Sequence, residues 1–372
     1  MPDPAPASCT ACATIAFPRL AEYLDAILES IATHDMTVTR AGNRYTVTSA
    51  FGLASLEPRP GALHLRIETP DRPSLNRMKH ALAGPIGFIA ARERLEIQWT
   101  GESGGLTPLQ DLRVLRVARA QTLTPHMRRI VFKGENLAQF DRPDQMHCRL
   151  IFAPRDVATP AWPMLDDNGR VTWPDKKMDT RVYTLRAIDL ERGMLTIDFA
   201  LHAGAGPATR WALAAEPGDR IGIVGPAAGG MQPASFYVFA GDETGLPGIA
   251  RMLEALPADA CGHAFIEVRD AREELPLAKP PGMALQWLHR DGAAAGTTTL
   301  LPDALRSVAW PGSLDGVFVW GACEYQAFKA MHRYLKQELG LPRAQQVLYS
   351  HWHRALSEEQ IIEIGGEAYL AE

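Results

Sequence analysis

Cysteine is scarce in this chain of 372 residues. There are five, an odd number, at Cys9, Cys12, Cys148, Cys261 and Cys323, which does not fit the disulfide framework of small secreted domains. Cys9 and Cys12 form one CxxC, but no second CxxC or histidine pair stands at metal-ligand spacing, and no thioredoxin-like strand precedes it. The pair reads as two thiols near a loose terminus, and no metal site is expected. Long apolar runs are missing too: nowhere do about 18 apolar residues stand together, so no membrane insertion is expected. The opening MPDPAPASCTACATIAF lacks a basic n-region and an apolar core of signal-peptide length, which points to a cytoplasmic protein. Positive charge is not in excess: Lys plus Arg number 38 against 43 for Asp plus Glu, a net charge of -5. No global basic field exists to hold a nucleic acid, although a local basic pocket is compatible with that balance.

What is present is ordinary globular material, 46% hydrophobic and 22% charged, which rules out disordered and fibrous classes. The length favours two to three domains at roughly 100–200 residues each. Three regimes follow one another. The first, residues 1–103, reads as a small α+β domain: a helix over Pro18 to Thr33 with apolar residues at helical spacing, and short strands at Thr37–Thr39, Arg44–Thr48 and Leu63–Glu68. A second helix over Leu75–Arg92 is interrupted near Gly84 and Pro85, and a strand follows at Leu95–Trp99. GESGGLTP, Gly101 to Pro108, reads as a linker.

The second regime, 110–233, is a series of short strands between Pro, Gly and Asp turns: Leu112–Ala118, Met127–Lys133, Cys148–Phe152, Arg181–Arg186, Met194–Leu201 and Arg220–Val224. Such spacing predicts an antiparallel β-barrel. From 234 to 372 apolar strands at Phe236–Ala240, Ala264–Val268, Leu285–His289 and Val317–Trp320 alternate with helical stretches at Leu246–Leu256 and Glu324–Leu339. That alternation predicts an α/β domain with a parallel sheet.

Two motifs in the barrel carry chemistry. RVYTLR, Arg181 to Arg186, sets a cation, a ring and a hydroxyl on one short strand, which suits a flat anionic dinucleotide; by itself it is also ordinary strand material. In HAGAGPATRW, His202 to Trp211, Gly204, Gly206 and Pro207 set a bend, and Ala208 onward reads as a helix whose first N–H groups face it. That is a phosphate seat, to which Thr209 adds a hydroxyl. Together the two argue for a flavin. Asp198 and Phe199 lie on the preceding strand, and either can touch the cofactor; His202 is a cofactor contact or a structural histidine.

With TPHMRRIVFKGENLAQF (Thr124 to Phe140), the stretch Thr196 to Gly229, AGDETGLPGIARMLEALP (Ala240 to Pro257) and VWGACEYQAFKAMHRYL (Val319 to Leu335), these motifs resemble the siderophore-interacting protein family. The resemblance runs from about Asp111 to the C-terminus. The N-terminal portion separately resembles a small bacterial domain of unknown function, which brings no activity with it. The family resemblance implies a cytoplasmic, FAD-dependent ferric-siderophore reductase of ferredoxin-reductase-like fold: an FAD-binding β-barrel followed by a nucleotide-binding α/β domain with a parallel sheet. It implies that Arg181 contacts FAD phosphate, that Tyr183 lies against the flavin and that Thr184 sits near its reactive edge, the last two as catalytic residues. His202, Gly204, Gly206, Pro207, Ala208 and Thr209 match the pyrophosphate turn.

GDETGLPG, Gly241 to Gly248, follows the first parallel strand and opens a helix without being a GxGxxG. Its spacing, Gly241, Gly245 and Gly248 with Thr244 before the helix, resembles the family's loop where nicotinamide approaches the flavin, which makes Gly241, Asp242 and Thr244 candidate cofactor contacts; Asp-Glu-Thr-Gly is also a good turn and N-cap. After the second strand, Arg269 and Arg272 flank Asp270, which reads either as a 2′-phosphate site, tilting towards NADPH over NADH, or as a solvated charge cluster. Gly321 permits close backbone approach to a nicotinamide or adenine, and Glu324 starts a helix. Near the end, Ser350, His351, Trp352, His353 and Arg354 stand where the family tends to show Gly-Tyr-Trp-basic, so histidine replaces the tyrosine. His351, Trp352, His353 and Arg354 read as contacts for an anionic ferric-siderophore substrate, or as the lead-in to a surface helix.

The expected reaction is hydride transfer from NADPH or NADH to FAD, then two one-electron steps to ferric iron. Two alternatives remain: a flavin reductase of another acceptor or one fed by a ferredoxin partner, and a siderophore-binding protein without enzymatic activity.

Overall fold

The computed structural model describes residues 8–32, 36–202 and 206–364; Gly204 of the expected phosphate seat lies outside the described residues. The chain divides into two bodies. The first takes the chain up to Leu112 together with Thr159–Lys177, and the second takes Arg113–Ala158 and Met178 to Glu358.

The first body begins with β1 (Cys9–Ala16), α1 (Leu20–Ala32), β2 (Thr37–Ala41), β3 (Arg44–Ser49), β4 (Gly52–Arg59), β5 (Ala62–Thr69), α2 (Arg72–Ile89), β6 (Trp99–Gly101) and β7 (Thr107–Pro108). Six of these strands form one sheet in the order β2-β3-β4-β5-β1-β6, and the two helices cover one face. The CxxC expected near a loose terminus instead lies on β1, inside this sheet between β5 and β6. Cys9, Ala11, Ala13 and Ile15 point into the core while Cys12 pairs with Arg66 on the other face. Side chains three apart on a strand face opposite ways, so these two thiols do not form a joint site.

The interruption expected near Gly84 and Pro85 is absent: α2 runs through Pro85 without a break. Leu75, Met78, Leu82 and Ile86 bury one stripe against the sheet, and that burial outweighs the hydrogen bond proline forfeits. Asp71 caps the helix by accepting from Ser74 N at 2.8 Å. The expected linker carries structure as well, since Gly101 ends β6 and β7 lies at its other end; the strand expected at Leu95–Trp99 begins only at Trp99.

The second body opens with β8 (Leu112–Thr124), β9 (Met127–Lys133) and β10 (Gln145–Phe152). The chain then supplies β11 (Met164–Leu165) and β12 (Val171–Thr172) to the first body, where they complete a small sheet in the order β12-β11-β7. Helix α2 holds this hairpin. Lys79, 2% exposed, donates to Glu102 O at 3.2 Å and Asp167 O at 2.8 Å, and His80 Nδ1 meets Gly169 O at 2.9 Å. Gly169 has φ +71°, and a Cβ there would collide with His80 N.

The barrel resumes with β13 (Thr180–Thr184), β14 (Ala187–Asp189), β15 (Met194–Ala200), α3 (Pro207–Ala214) and β16 (Arg220–Gly229), in the order β13-β10-β16-β8-β9-β15-β14. Bonds from Leu185 N to Met146 O and from Arg186 N to Thr196 O draw its two edges together. Trp211 of α3 fills the barrel core against Phe132, Phe152 and Phe199 at 6.2, 5.6 and 6.3 Å between ring centres.

The remaining elements are β17 (Phe236–Gly241), α4 (Leu246–Ala255), β18 (Cys261–Val268), β19 (Met283–His289), α5 (Leu300–Arg306), β20 (Val317–Glu324), α6 (Tyr325–Arg333) and β21 (Gln346–Trp352). All neighbouring strands run parallel, in the order β19-β18-β17-β20-β21. The order reverses between β17 and β20, and ligands of such sheets bind outside the carboxyl ends of the strands at that point. Helix α4 covers one face, whose core also takes in Met127, Met146 and Ala200 of the barrel; α5 and α6 cover the other. At the chain end Ser350–Trp352 lie on the edge strand β21, and a short helix, α7 (Glu358–Ile364), follows after His353 and Arg354.

Candidate functional site

Strand β13 carries the first motif. Tyr183 and Arg181 stand opposite Cys148 and Leu150 of β10, and the Tyr183 ring packs on Phe199 at 4.5 Å between centres. Thr184, 4% exposed, stands opposite His147. The expected phosphate seat falls at the start of α3: Gly206 is the helix N-cap, no side chain caps it, and Pro207 occupies the first turn where its missing N–H costs nothing. Ala208 and Thr209 follow, both buried. An eight-residue helix whose N-terminal N–H groups meet no capping side chain, close in sequence to the strand bearing Arg181, fits a dinucleotide phosphate. By contrast Asp198 is committed inside the protein: Arg129 grips it through two bonds of 2.7 Å, which raises the pKa of Arg129.

The loop after β17 is fixed by its own carboxylates. Asp242 Oδ1 accepts from Thr244 N at 2.8 Å and Thr244 Oγ1 at 2.6 Å, and its Oδ2 accepts from Glu324 N at 3.0 Å and Trp352 Nε1 at 2.8 Å. Glu243 pairs with Arg290, which also reaches Glu267 at 3.3 Å; burial raises the carboxyl pKa of Glu267. Gly241 and Gly245 are required here because a Cβ on either would press on Ala322 O. Gly321 answers to its sheet neighbours, since a Cβ would lie 2.8 Å from Leu348 Cδ2 and 2.9 Å from Ala240 O.

Several separated motifs converge. His351 Nε2 lies 3.1 Å from His147 Nε2, and His351 Nδ1 lies 3.2 Å from Thr244 O. A carbonyl only accepts, so Nδ1 of His351 holds its proton, His147 donates through Nε2, and His147 Nδ1 is a buried lone pair without a partner. Desolvation lowers both pKa values, that of His351 to about 4. Tyr349 and Trp320 wall the pair, with Tyr349 pushed up to about 12 by burial. The His202 ring lies 6.1 Å from that of Trp352. His353 stacks on Tyr325 at 4.8 Å, and Arg354, anchored by its N–H to Glu324 Oε1 at 3.1 Å, is exposed.

Sequence reasoning missed His147, Arg290 and Glu273. Glu273, 3% exposed, accepts from Thr124 Oγ1 at 2.5 Å and His126 N at 3.2 Å, and meets His126 Nδ1 at 2.6 Å, tying the β8–β9 turn of the barrel to the chain after β18. Its neighbours in the charge cluster are engaged too: Asp270 binds Arg272 N and Nε, both at 3.0 Å, and Arg269 meets His126 Nε2 at 3.1 Å. The Arg272 guanidinium holds the Asp270 carboxyl well below the usual carboxylate range. An acidic residue inside RDAREE gave no local sign that it was the buried one.

Comparison with known proteins gives this geometry a context. Residues 116–230 match the siderophore-interacting FAD-binding domain, 234–355 the siderophore-interacting protein model, and 12–100 an uncharacterized domain conserved in bacteria, DUF2218. The ferric vibriobactin reductase ViuB of Vibrio cholerae is 28% identical over 66% of this chain and 91% of its own. The NADPH-dependent ferric-chelate reductase of Escherichia coli is 30% identical over 65% and 92%. A siderophore utilization protein from T. fusca, of known crystal structure, is 38% identical with a TM-score of 0.60, covering 69% of this chain and 97% of that one. The FAD-binding barrel followed by the parallel α/β domain is thus shared with these relatives, the small domain ahead of them matches a separate model, and the chain belongs to the siderophore-interacting protein family.

Proposed function

We propose that the protein is an NAD(P)H-dependent flavoprotein oxidoreductase that reduces ferric-siderophore complexes and releases Fe(II) in the cytoplasm. The observation that carries the reading is the path Thr184, His147, His351, Thr244, in which the candidate flavin strand, the chain-end segment and the loop after β17 meet within hydrogen-bond or cross-strand distance. The named activities of the Vibrio cholerae and Escherichia coli relatives support the same class of reaction. The five free cysteines accord with a reducing compartment.

In this reading residues 110–233 bind FAD and residues 234–372 receive NADPH or NADH. FAD, when bound, takes up two electrons as hydride and passes them on singly. Arg181 and the N–H groups at the start of α3 hold its phosphates, the former by a charge-assisted bond and the latter by helix-end partial charge. Tyr183 covers the ring system, and Thr184 offers a hydroxyl at its edge. Gly206, Pro207, Ala208 and Thr209 shape the seat, with His202 beside it. The loop Gly241, Asp242 and Thr244 is held rigid by its four-donor carboxylate, so nicotinamide meets a preformed surface. Arg354 and His353, with Trp352 locked to Asp242, present cationic and aromatic groups to an anionic iron complex. Ferric iron is substrate here: hard oxygen donors hold Fe(III) more tightly than Fe(II), so reduction loosens the chelate.

The test is anaerobic mixing of the FAD-loaded protein with NADH or NADPH, then a ferric siderophore, with Fe(II) trapped by a coloured chelator. Bleaching of the flavin followed by Fe(II) colour is expected. Flavin that bleaches only with reduced ferredoxin replaces the donor in this scheme, and a purified protein that takes up no FAD ends it.

A further inference from the structure

RVYTLR continues past Thr184, and its last two residues are held by helix α4. Leu185 is fully buried, and its carbonyl accepts from Arg251 Nη1 at 2.9 Å. The other arm of that guanidinium donates to Arg142 O at 2.8 Å. Three residues further along α4, Glu254 takes Arg186 at two points, Nη1 to Oε2 at 2.8 Å and Nη2 to Oε1 at 2.5 Å. The Arg186 side chain is 11% exposed, with Nε 3.9 Å from Asp198 Oδ2.

Residues 251 and 254 share one helix face, and α4 begins at Leu246, directly after the loop Gly241–Gly245. The helix that starts in the nicotinamide-side loop therefore grips the exit of the flavin-side strand. A half-buried guanidinium directed at two carbonyls is a costly stabiliser, because desolvation opposes it; what such a group supplies is fixed geometry.

We propose that Arg251, Glu254 and Arg186 are positioning residues that set the distance between the loop Gly241–Gly245 and Thr184, and with it the rate of hydride delivery. The proposal rests on the function given above. In the step concerned, hydride would pass from the dihydronicotinamide to the flavin: the C–H bond of the donor breaks and an N–H bond forms on the acceptor, the donor is oxidised by losing two electrons and the acceptor is reduced by gaining them, and no further reactant is needed. None of the three residues touches the reacting atoms in this scheme, so misplacement rather than lost chemistry is the consequence of removing them.

The experiment compares wild type with Glu254→Gln, Arg251→Met, Arg186→Glu and the exchange Arg186→Glu/Glu254→Arg. The Glu254 side chain is 42% exposed, so its substitution keeps the test open if Arg251→Met fails to fold. Measured are the FAD dissociation constant, the visible circular dichroism of bound flavin and single-turnover bleaching at saturating NADPH and NADH. Expected are an FAD dissociation constant within about threefold of wild type, an altered visible dichroism and bleaching slowed by roughly 10- to 100-fold, the scale on which misplacement by about 1 Å acts. The exchange variant is expected to recover rate over Arg186→Glu alone. Bleaching at the wild-type rate with unchanged dichroism, whatever the thermal midpoint, overturns the proposal. A wild-type protein that binds no FAD, or that neither nicotinamide bleaches, overturns the function itself and the proposal with it.

Discussion

His147 and His351 stand 204 residues apart in the chain, yet their Nε2 atoms are 3.1 Å from each other with the ring planes at 84°. The bond joins a barrel strand to the edge strand of the parallel sheet and requires a neutral His351, whose Nε2 accepts it. A proton gained by His351 sits on Nε2, so that two N–H groups face each other across that gap, whereas His147 takes its proton at the buried Nδ1, where burial first and then the Arg251 charge disfavour it.

Stability is therefore expected to fall with acid. A histidine whose folded pKa is depressed contributes stability above its unfolded value of about 6.5, and that contribution is lost as pH falls from there towards the folded value, about 4 for His351. The slope is about 1.4 kcal/mol per pH unit for each histidine in that window. Urea midpoints from pH 8 to pH 4 check it: wild type should weaken below pH 6.5, and His351→Phe should show a shallower slope. Parallel slopes in the two proteins would remove the pair from the explanation.

Glu273 is expected to matter more than its setting in a charged hexapeptide indicates. Glu273→Ala leaves Thr124 Oγ1, His126 N and the His126 ring without their acceptor, at a cost of about 2–4 kcal/mol. Denaturant titration should find a loss of that size, against less than about 0.5 kcal/mol for Glu274→Ala, whose carboxylate is 39% exposed.

For the flavin, Arg181→Ala should weaken FAD binding by about 10- to 100-fold, the equivalent of one charge-assisted bond. Fluorescence quenching on titration with FAD measures it. An unchanged dissociation constant would take Arg181 out of the phosphate contacts.

Gly169→Ala tests the hairpin of the first body. The φ of +71° disfavours any side chain, and the added methyl group meets His80 N; together these cost more than about 1 kcal/mol. Limited proteolysis should then cut within 159–177 faster than in wild type. Equal cutting rates would mean that the hairpin docks without Gly169.

Much of the fold was legible locally. Alternation revealed β3, β5 and β9, and the change from short strands to strand–helix alternation marked where the parallel sheet begins. β1 was hidden because CTACATIA buries mostly Cys and Ala, which carry little hydrophobic signal. β11 and β12 have two residues each, too few for any period, and α2 passes Pro85 because its buried stripe, not its propensity, holds it together. Among the candidate site residues, RVYTLR and the start of α3 stood out in the sequence through residue type. His147, Arg251 and Glu273 did not, because their meaning lies in partners that only the folded chain brings near.

The hairpin β11–β12 also bears on how the protein is made. On the ribosome β7 emerges with its partner strand still unsynthesised, and about 60 further residues must be added before the small sheet closes, roughly 3–12 s at ordinary elongation rates. Through that interval the buried Lys79 ammonium lacks the Asp167 carbonyl. The amino-terminal body therefore reaches its final state only after the first barrel strands have been translated, so the two bodies mature as interleaved products of one growing chain.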